Sequence, residues 1–257
     1  MSVSWKHVSL ETPQNRVRMT WGLANFPPTP PPAGDLLKAV FRFPLPGLYL
    51  ILSGIAFRST FGHRVDAREL PELLAKMEDY NGDAITRLAM KLMAYTFVRT
   101  SEEIEAPWTE FDLDEARWTI PAERMKMNTP HIVPLSRQAV DVLKALKLLT
   151  GRGKFVFPGA LDKNKPISNN TILYALYRLG YRDRMTGHGF RGLASTILNE
   201  QGFEEAHIEL QLAHTKRNKV AAAYNHAKYL SQRTAMMQWW ADYLDAQLAK
   251  GRKALAA

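Results

Sequence analysis

The chain changes character near residue 62, and this change limits the folds open to it. Eight of its fifteen prolines lie between Pro13 and Pro46. Proline fixes φ and removes a backbone donor, so the run FPPTPPPAGD cannot be helix or central strand. We predict an irregular, basic, proline-rich segment over 1–62, either a disordered tail or a segment with a function of its own. A folded domain over 63–250 and a basic tail over 251–257 follow.

Helical spacing dominates the second part of the chain. The segments DARELPELLAKMEDY and DAITRLAMKLMAYTFVR place apolar residues three or four apart, as amphipathic helices do. The same spacing predicts a helix over 137–149, another in SNNTILYALYRLG, and mostly helix over 188–248. The segment ARWTIPAERMKMNTPHIVPLS predicts two short strands, 117–121 and 130–135, around a polar turn. The expected fold class is α+β, mostly helical with a small antiparallel sheet.

Composition excludes several classes of protein. The 257 residues include no cysteine, which excludes disulfides, thiolate catalysis and cysteine-based zinc sites. The most apolar run, GLYLILSGIAF, is too short to span a bilayer, and no secretory signal precedes it. The glycines of TGRGKFVFPG lack the spacing of a phosphate loop. We therefore expect a cytoplasmic protein that needs no cofactor or metal ion.

The charge balance favours a polyanionic partner. Lysine and arginine number 34 against 25 acidic residues, which gives a formal net charge of +9 at pH 7 and a pI near 9.7. A surplus of this size is typical of proteins that bind nucleic acid, although many basic proteins do not. Double-stranded DNA is the partner this balance favours.

Several side chains suited to phosphate chemistry follow one another along the folded domain. His188 and Arg191 lie three apart where a helix begins, in TGHGFRGLASTILNE, so both can reach one anion. An acid, Glu102, lies three residues after Arg99. Each member alone has an ordinary explanation, such as a helix-end arginine, a turn lysine or a packed tyrosine. The full set in chain order is Arg99, Lys126, His188, Arg191, His214 and Tyr224.

These residue types can together break a phosphodiester without a metal ion. Two guanidinium groups can grip the non-bridging oxygens and stabilise the charge of the transition state. A tyrosine hydroxyl activated by a base can attack phosphorus and form a covalent phosphotyrosine. Histidine and lysine can carry the protons of the nucleophile and the leaving oxygen.

The residues of this set resemble those of the tyrosine recombinases, in particular the integrases of phages and genomic islands. The resemblance covers about 64–246. It rests on the segments LMAYTFVRTSEE, ARWTIPAERMKMNTPHIVPLS, GHGFRGLASTILNEQGF, ELQLAHTKRNKVAAAYNHAKYL and RTAMMQWWADYL. It implies a catalytic domain over 63–250 with Tyr224 as nucleophile, although Tyr229 is a rival. It further implies that the catalytic set is Arg99, Glu102, Lys126, His188, Arg191 and His214.

The resemblance also implies a reaction and an assembly. The tyrosine would leave a 3′-phosphotyrosine and a free 5′-hydroxyl, and four subunits would act on two DNA attachment sites with accessory DNA-bending or excision factors. Residues 1–62 resemble neither the arm-binding nor the core-binding domain of such integrases. A catalytically silent DNA-binding remnant therefore remains an alternative. A type IB topoisomerase, which shares the chemistry, is a further alternative. The helix over 233–248 is expected either to pack on its own domain or to exchange between subunits.

Overall fold

We describe the protein from a computed structural model. The described residues are the backbone of 5–12 and 15–22, and residues 64–126, 128–214 and 229–256. The chain divides into two units, residues 1–58 and 59–257.

The first unit contains a hairpin that the sequence analysis did not predict. Strands β1 (Trp5–Thr12) and β2 (Asn15–Gly22) pair antiparallel, with Trp5 opposite Gly22. Neither strand contains proline, and Pro13 falls in the connection between them. The prolines of this part of the chain therefore do not prevent β1 and β2 from pairing. The remainder of the predicted proline-rich segment, up to residue 62, lies outside the described residues.

Helices make up most of the second unit, as predicted. In the described part they are α1 (Leu70–Glu78), α2 (Ala84–Thr96), α3 (Thr100–Ile104), α4 (Arg137–Thr150), α5 (Asn170–Arg178), α6 (Gly187–Glu200), α7 (Glu205–Gln211) and α8 (Leu230–Ala256). Side chains cap several of them: the carboxylate of Asp83 begins α2, and the hydroxyl of Ser136 begins α4.

A small antiparallel sheet accompanies the helices, in the order β3-β4-β5. Its strands are β3 (Phe111–Asp112), β4 (Arg117–Ile120) and β5 (His131–Pro134). The two predicted strands are confirmed to within one residue at each end, whereas β3 was not predicted because two residues show no periodicity. The α+β fold class with mostly helix is confirmed.

The last helix, α8, packs on its own chain. It lies along α1 and also contacts α2, α4, α7 and β5. The indole Nε1 of Trp240 donates to the carbonyl of Ala94 at 2.9 Å, and Gly251 approaches the backbone of Pro71 so closely that a Cβ would overlap its carbonyl oxygen. This helix was expected either to pack on its own domain or to exchange between subunits, and in the structure it packs on its own domain. No described helix is both long and apolar enough to cross a membrane.

Candidate active site

Arg99 and Glu102 form a tight pair at the start of α3. Glu102 is 3% exposed, and its carboxylate accepts from the Arg99 backbone N–H at 3.0 Å and from the Arg99 Nη1 at 2.5 Å. The acid therefore fixes both the backbone and the guanidinium of the arginine. The Arg99 side chain remains 24% exposed, so part of its fork faces solvent.

Arg191 approaches the same place from α6. Its Nη1 donates to the carbonyl of Phe97 at 2.8 Å, and its Nη2 donates to the carbonyl of Leu212 at 2.6 Å. Arg191 is 3% exposed, and burial together with the nearby charge of Arg99 lowers its pKa to about 10. It therefore stays cationic at neutral pH. Gly187, the first residue of α6, has no Cβ to collide with the side chain of Thr100, which lets this helix approach α3.

The C-terminus of α7 is where the two arginines meet. Ala213 has a left-handed backbone with φ 49°, and the His214 N–H bonds the carbonyl of Glu209 while the Ala213 N–H bonds that of Leu210. This is the Schellman pattern of helix termination. It leaves the next carbonyls of the helix end for side chains. Those carbonyls belong to Gln211, Leu212 and Ala213, and they accept from His131, Arg191 and Arg99, respectively.

Two histidines, His188 and His214, border the arginine pair. The pKa of His188 is lowered from its ordinary value by partial burial and then by the nearby charges of Arg191, His214 and Arg99. His188 is therefore biased toward the neutral form, which can accept a proton. The Nδ1 of His214 lies 3.2 Å from a carboxylate oxygen of Glu209, which orients the ring.

Lys126 lies on a different element from the residues of this cluster. It is exposed in the connection between β4 and β5, just after a short 3-10 helix. Two residues earlier, Arg124 grips both carboxylate oxygens of Glu110 and donates to the carbonyl of Glu102 at 2.7 Å. The connection that carries the lysine is thus fastened to α3.

The two tyrosines differ in what the structure describes. Tyr224 lies outside the described residues. Tyr229 lies at the start of α8, where its carbonyl accepts from the Arg233 N–H and its ring lies 4.8 Å from the ring of His207. The structure thus brings together five predicted site residues, namely Arg99, Glu102, His188, Arg191 and His214.

Sequence reasoning missed the residues that orient this cluster. Glu209 precedes His214 by five residues, a separation at which side chains of a regular helix do not meet. They meet because the chain turns left-handed at Ala213, where alanine replaces the usual glycine and gives no signal. Gln211 and Arg233 were also missed. Within the described part of the chain, histidine and acidic residues form no group of three that could hold a metal ion.

Comparison with known proteins identifies a family and several relatives of this chain. The phage integrase family matches residues 63–230. The integrase of Enterobacteria phage P4 is 47% identical over 191 residues, which are 68% of this chain and 44% of that protein. The prophage integrase IntA of Escherichia coli K12 is 43% identical over 178 residues, 69% of this chain and 43% of that protein. The chain thus spans about half the length of such relatives, or less.

Solved structures share the fold at lower identity. The integrase of mycobacterium phage Brujita has a TM-score of 0.53 at 17% identity and covers 75% of this chain and 65% of its own. The XerH site-specific recombinase, solved with its difH substrate, has a TM-score of 0.50 at 16% identity, with 68% and 55% covered. At such identities the likeness concerns the fold, whereas the sequence matches establish the relationship. The chain belongs to the phage integrase family of tyrosine recombinases.

Proposed function

We propose that this chain cuts and rejoins DNA at specific sites through a 3′-phosphotyrosine, without a metal ion or ATP. The observation that carries the proposal is the convergence of Arg99 and Arg191 on the end of α7. Carbonyl oxygens hold both guanidinium groups in fixed orientations, and two histidines border them. Donors fixed in this way stabilise transition-state charge without reorganising during the reaction.

The cleavage step follows from these roles. The Tyr224 hydroxyl attacks phosphorus and gives its proton to a neighbouring histidine, with His188 biased toward the required neutral form. The bond from phosphorus to the 5′-oxygen breaks, and Lys126 or a histidine protonates that oxygen. Arg99 and Arg191 stabilise the charge on the non-bridging oxygens, and Glu102 and Glu209 keep Arg99 and His214 in place. Attack by a 5′-hydroxyl reverses the step and restores the tyrosine.

The proposed substrate is double-stranded DNA bearing an attachment site, and the proposed assembly is a tetramer on two such sites. The net charge of +9 and the membership of an integrase family support a DNA partner. The DNA-bound XerH complex, which shares the fold, agrees with this proposal. Accessory proteins that bend DNA or direct excision are further candidates for partners.

A nicked suicide duplex tests the proposal, because the short 5′-hydroxyl strand diffuses away and traps the covalent adduct. We expect an adduct that survives denaturation, with peptide mapping placing the phosphate on Tyr224. Tyr224→Phe should abolish the adduct and leave DNA binding unchanged, whereas the control Tyr229→Phe should retain it.

Other outcomes would support the alternative functions. DNA binding without any adduct would identify a catalytically silent remnant. Relaxation of a supercoiled plasmid that lacks an attachment site would instead favour a topoisomerase. A phosphate found on Tyr229 would move the nucleophile and contradict the assignment of Tyr224.

A further inference from the structure

Arg233 is a buried arginine that has no acidic partner among the described residues. It lies in the first turn of α8, has no exposed surface, and burial alone lowers its pKa to about 10. Its Nε and Nη2 donate to the side-chain oxygen of Gln211 at 3.2 and 2.5 Å, and Nη2 also donates to the carbonyl of Ile132 at 2.6 Å. A buried cation held only by neutral acceptors is costly, and apolar side chains would pack there at less cost.

These bonds join three elements at one point. Gln211 is the last residue of α7, Ile132 belongs to β5, and Arg233 belongs to α8. Gln211 is held a second time, because its backbone carbonyl lies 3.2 Å from the Nε2 of His131. A carbonyl can only accept, so this nitrogen of His131 carries the proton. The end of α7 is therefore fastened both to the sheet and to the start of α8.

The Arg233 network lies beside the carbonyls that the arginine pair holds. Gln211 lies just before the carbonyls that Arg191 and Arg99 hold, and Arg233 lies just after the segment 212–229, which contains Tyr224. One guanidinium group thus connects the two described ends that flank the tyrosine. We infer that Arg233 is a positioning residue, which holds the end of α7 and thereby the carbonyls that orient Arg191 and Arg99. This inference rests on the proposed function only in assigning the arginine pair to catalysis.

The fork of arginine suits this role better than other side chains. Two of its nitrogens reach the same amide oxygen while one of them also reaches a strand carbonyl, so the group fixes an orientation as well as a distance. A lysine ammonium at this depth could not span these acceptors with the same geometry. Misplacing a reacting group by about 1 Å can cost on the order of 10²-fold in rate.

Hydrogen–deuterium exchange tests the connection without relying on catalysis. We expect Arg233→Met to speed exchange of backbone amides in α7 and the turn after it, residues 205–214, with little change in α1 or α4. The matched control is Arg252→Met on the same helix, since Arg252 is exposed and lies 3.7 Å from Glu78. The double variant Arg233→Met/Gln211→Met replaces both polar partners by apolar groups and keeps the fold if the single variant does not. Unchanged exchange in 205–214 in a folded variant would overturn the inference.

Single-turnover cleavage of the suicide duplex at saturating protein tests the consequence for the reaction. We expect Arg233→Met and Arg233→Lys to slow adduct formation on the order of 10²-fold while the Kd for DNA stays unchanged. A purely structural role would lower the melting temperature and leave the rate of the folded fraction intact. Adduct formation as fast as in Arg252→Met would overturn the inference while the proposed function stands. Absence of an adduct in the wild-type protein would refute the proposed function, and the exchange experiment would still decide the connection.

Discussion

The Nη1 of Arg191 donates to the carbonyl of Phe97 at 2.8 Å, and Phe97 has a left-handed backbone with φ 40° at the end of α2. This bond connects α6 to the turn that leads directly into Arg99. The other end of the same guanidinium holds Leu212, next to the carbonyl that accepts from Arg99. The two arginines are therefore positioned through shared backbone segments.

Replacement of Arg191 by lysine should weaken both the fold and the reaction. An ammonium lacks the planar fork that reaches the carbonyls of Phe97 and Leu212, and an unsatisfied buried acceptor costs about 1–3 kcal/mol. Cleavage of the suicide duplex should fall on the order of 10²-fold, by analogy with the loss of one oxyanion donor. The exposed Arg182→Lys is the control. A cleavage rate near that of the control would remove Arg191 from the catalytic set.

The pKa of His188 should depend on its cationic neighbours. Positive charges disfavour a charged imidazole, so Arg99→Gln should raise the pKa of His188. The pKa should remain below the ordinary value of 6.5, because burial is the largest cause of the lowered pKa and the substitution at Arg99 does not remove it. NMR titration of the His188 ring proton, assigned with His188→Gln, measures the change, and Arg182→Gln is the control. A pKa that does not move would mean that the charge of Arg99 is screened from the ring.

Glu103 should make the protein less stable as the pH rises. Its carboxylate is buried, no described residue donates a hydrogen bond to it, and burial raises its pKa well above 4.5. The folded protein therefore keeps this proton where the unfolded chain has lost it. Stability contributed by the protonated group is present below pH 4.5 and declines as pH rises toward the folded pKa.

The variant Glu103→Met removes this dependence. At pH 7 we expect a gain in unfolding free energy on the order of 1–3 kcal/mol, which is the cost of a buried group without a partner. The gain should shrink as the pH approaches 4.5. Denaturant melts across this range measure it, with the exposed Glu123→Met as control. Equal stability of Glu103→Met and wild type at pH 7 would show that the carboxyl has a partner in solution.

Gly251 should tolerate no side chain. A Cβ there would overlap the carbonyl oxygen of Pro71 and press on Ala75, both of α1. Gly251→Val should therefore destabilise the domain by about 1–3 kcal/mol, as overpacking does. The exposed Ala249→Val on the same helix should change thermal unfolding little. Equal melting temperatures would mean that α8 leaves α1 in solution, as an exchanging helix would.

The parts of the fold predicted from sequence are those that bury a periodic face. Helices α1, α2 and α4 follow the spacing of residues such as Leu73, Leu92 and Leu143, and all three side chains are buried. The hairpin β1–β2 and the two-residue strand β3 were missed. The first lies beside prolines that dominated the interpretation, and the second depends on pairing of Phe111 with Trp118 across the sheet.

The site was predictable in its residue types and not in its supports. The order of Arg99, His188, Arg191 and His214 is visible in the chain, whereas the carbonyls that orient the two arginines are not. Those carbonyls become available because Phe97 and Ala213 adopt left-handed backbones. Neither residue is a glycine, so tertiary contacts set these conformations against local preference.

The docking of α8 on α1 fixes the point from which the chain leads back to the proposed nucleophile. Tyr224 precedes Leu230, the first residue of α8, by six residues. An extended chain spans at most about 3.6 Å per residue, so a connection of six residues reaches no farther than roughly 20 Å from Leu230. One turn onward, Arg233 touches the end of α7 beside the carbonyls held by the arginine pair. The connection between Leu230 and Tyr224 therefore begins next to the chain's own site. A second subunit could receive this tyrosine only if its DNA phosphate came within about that distance of Leu230.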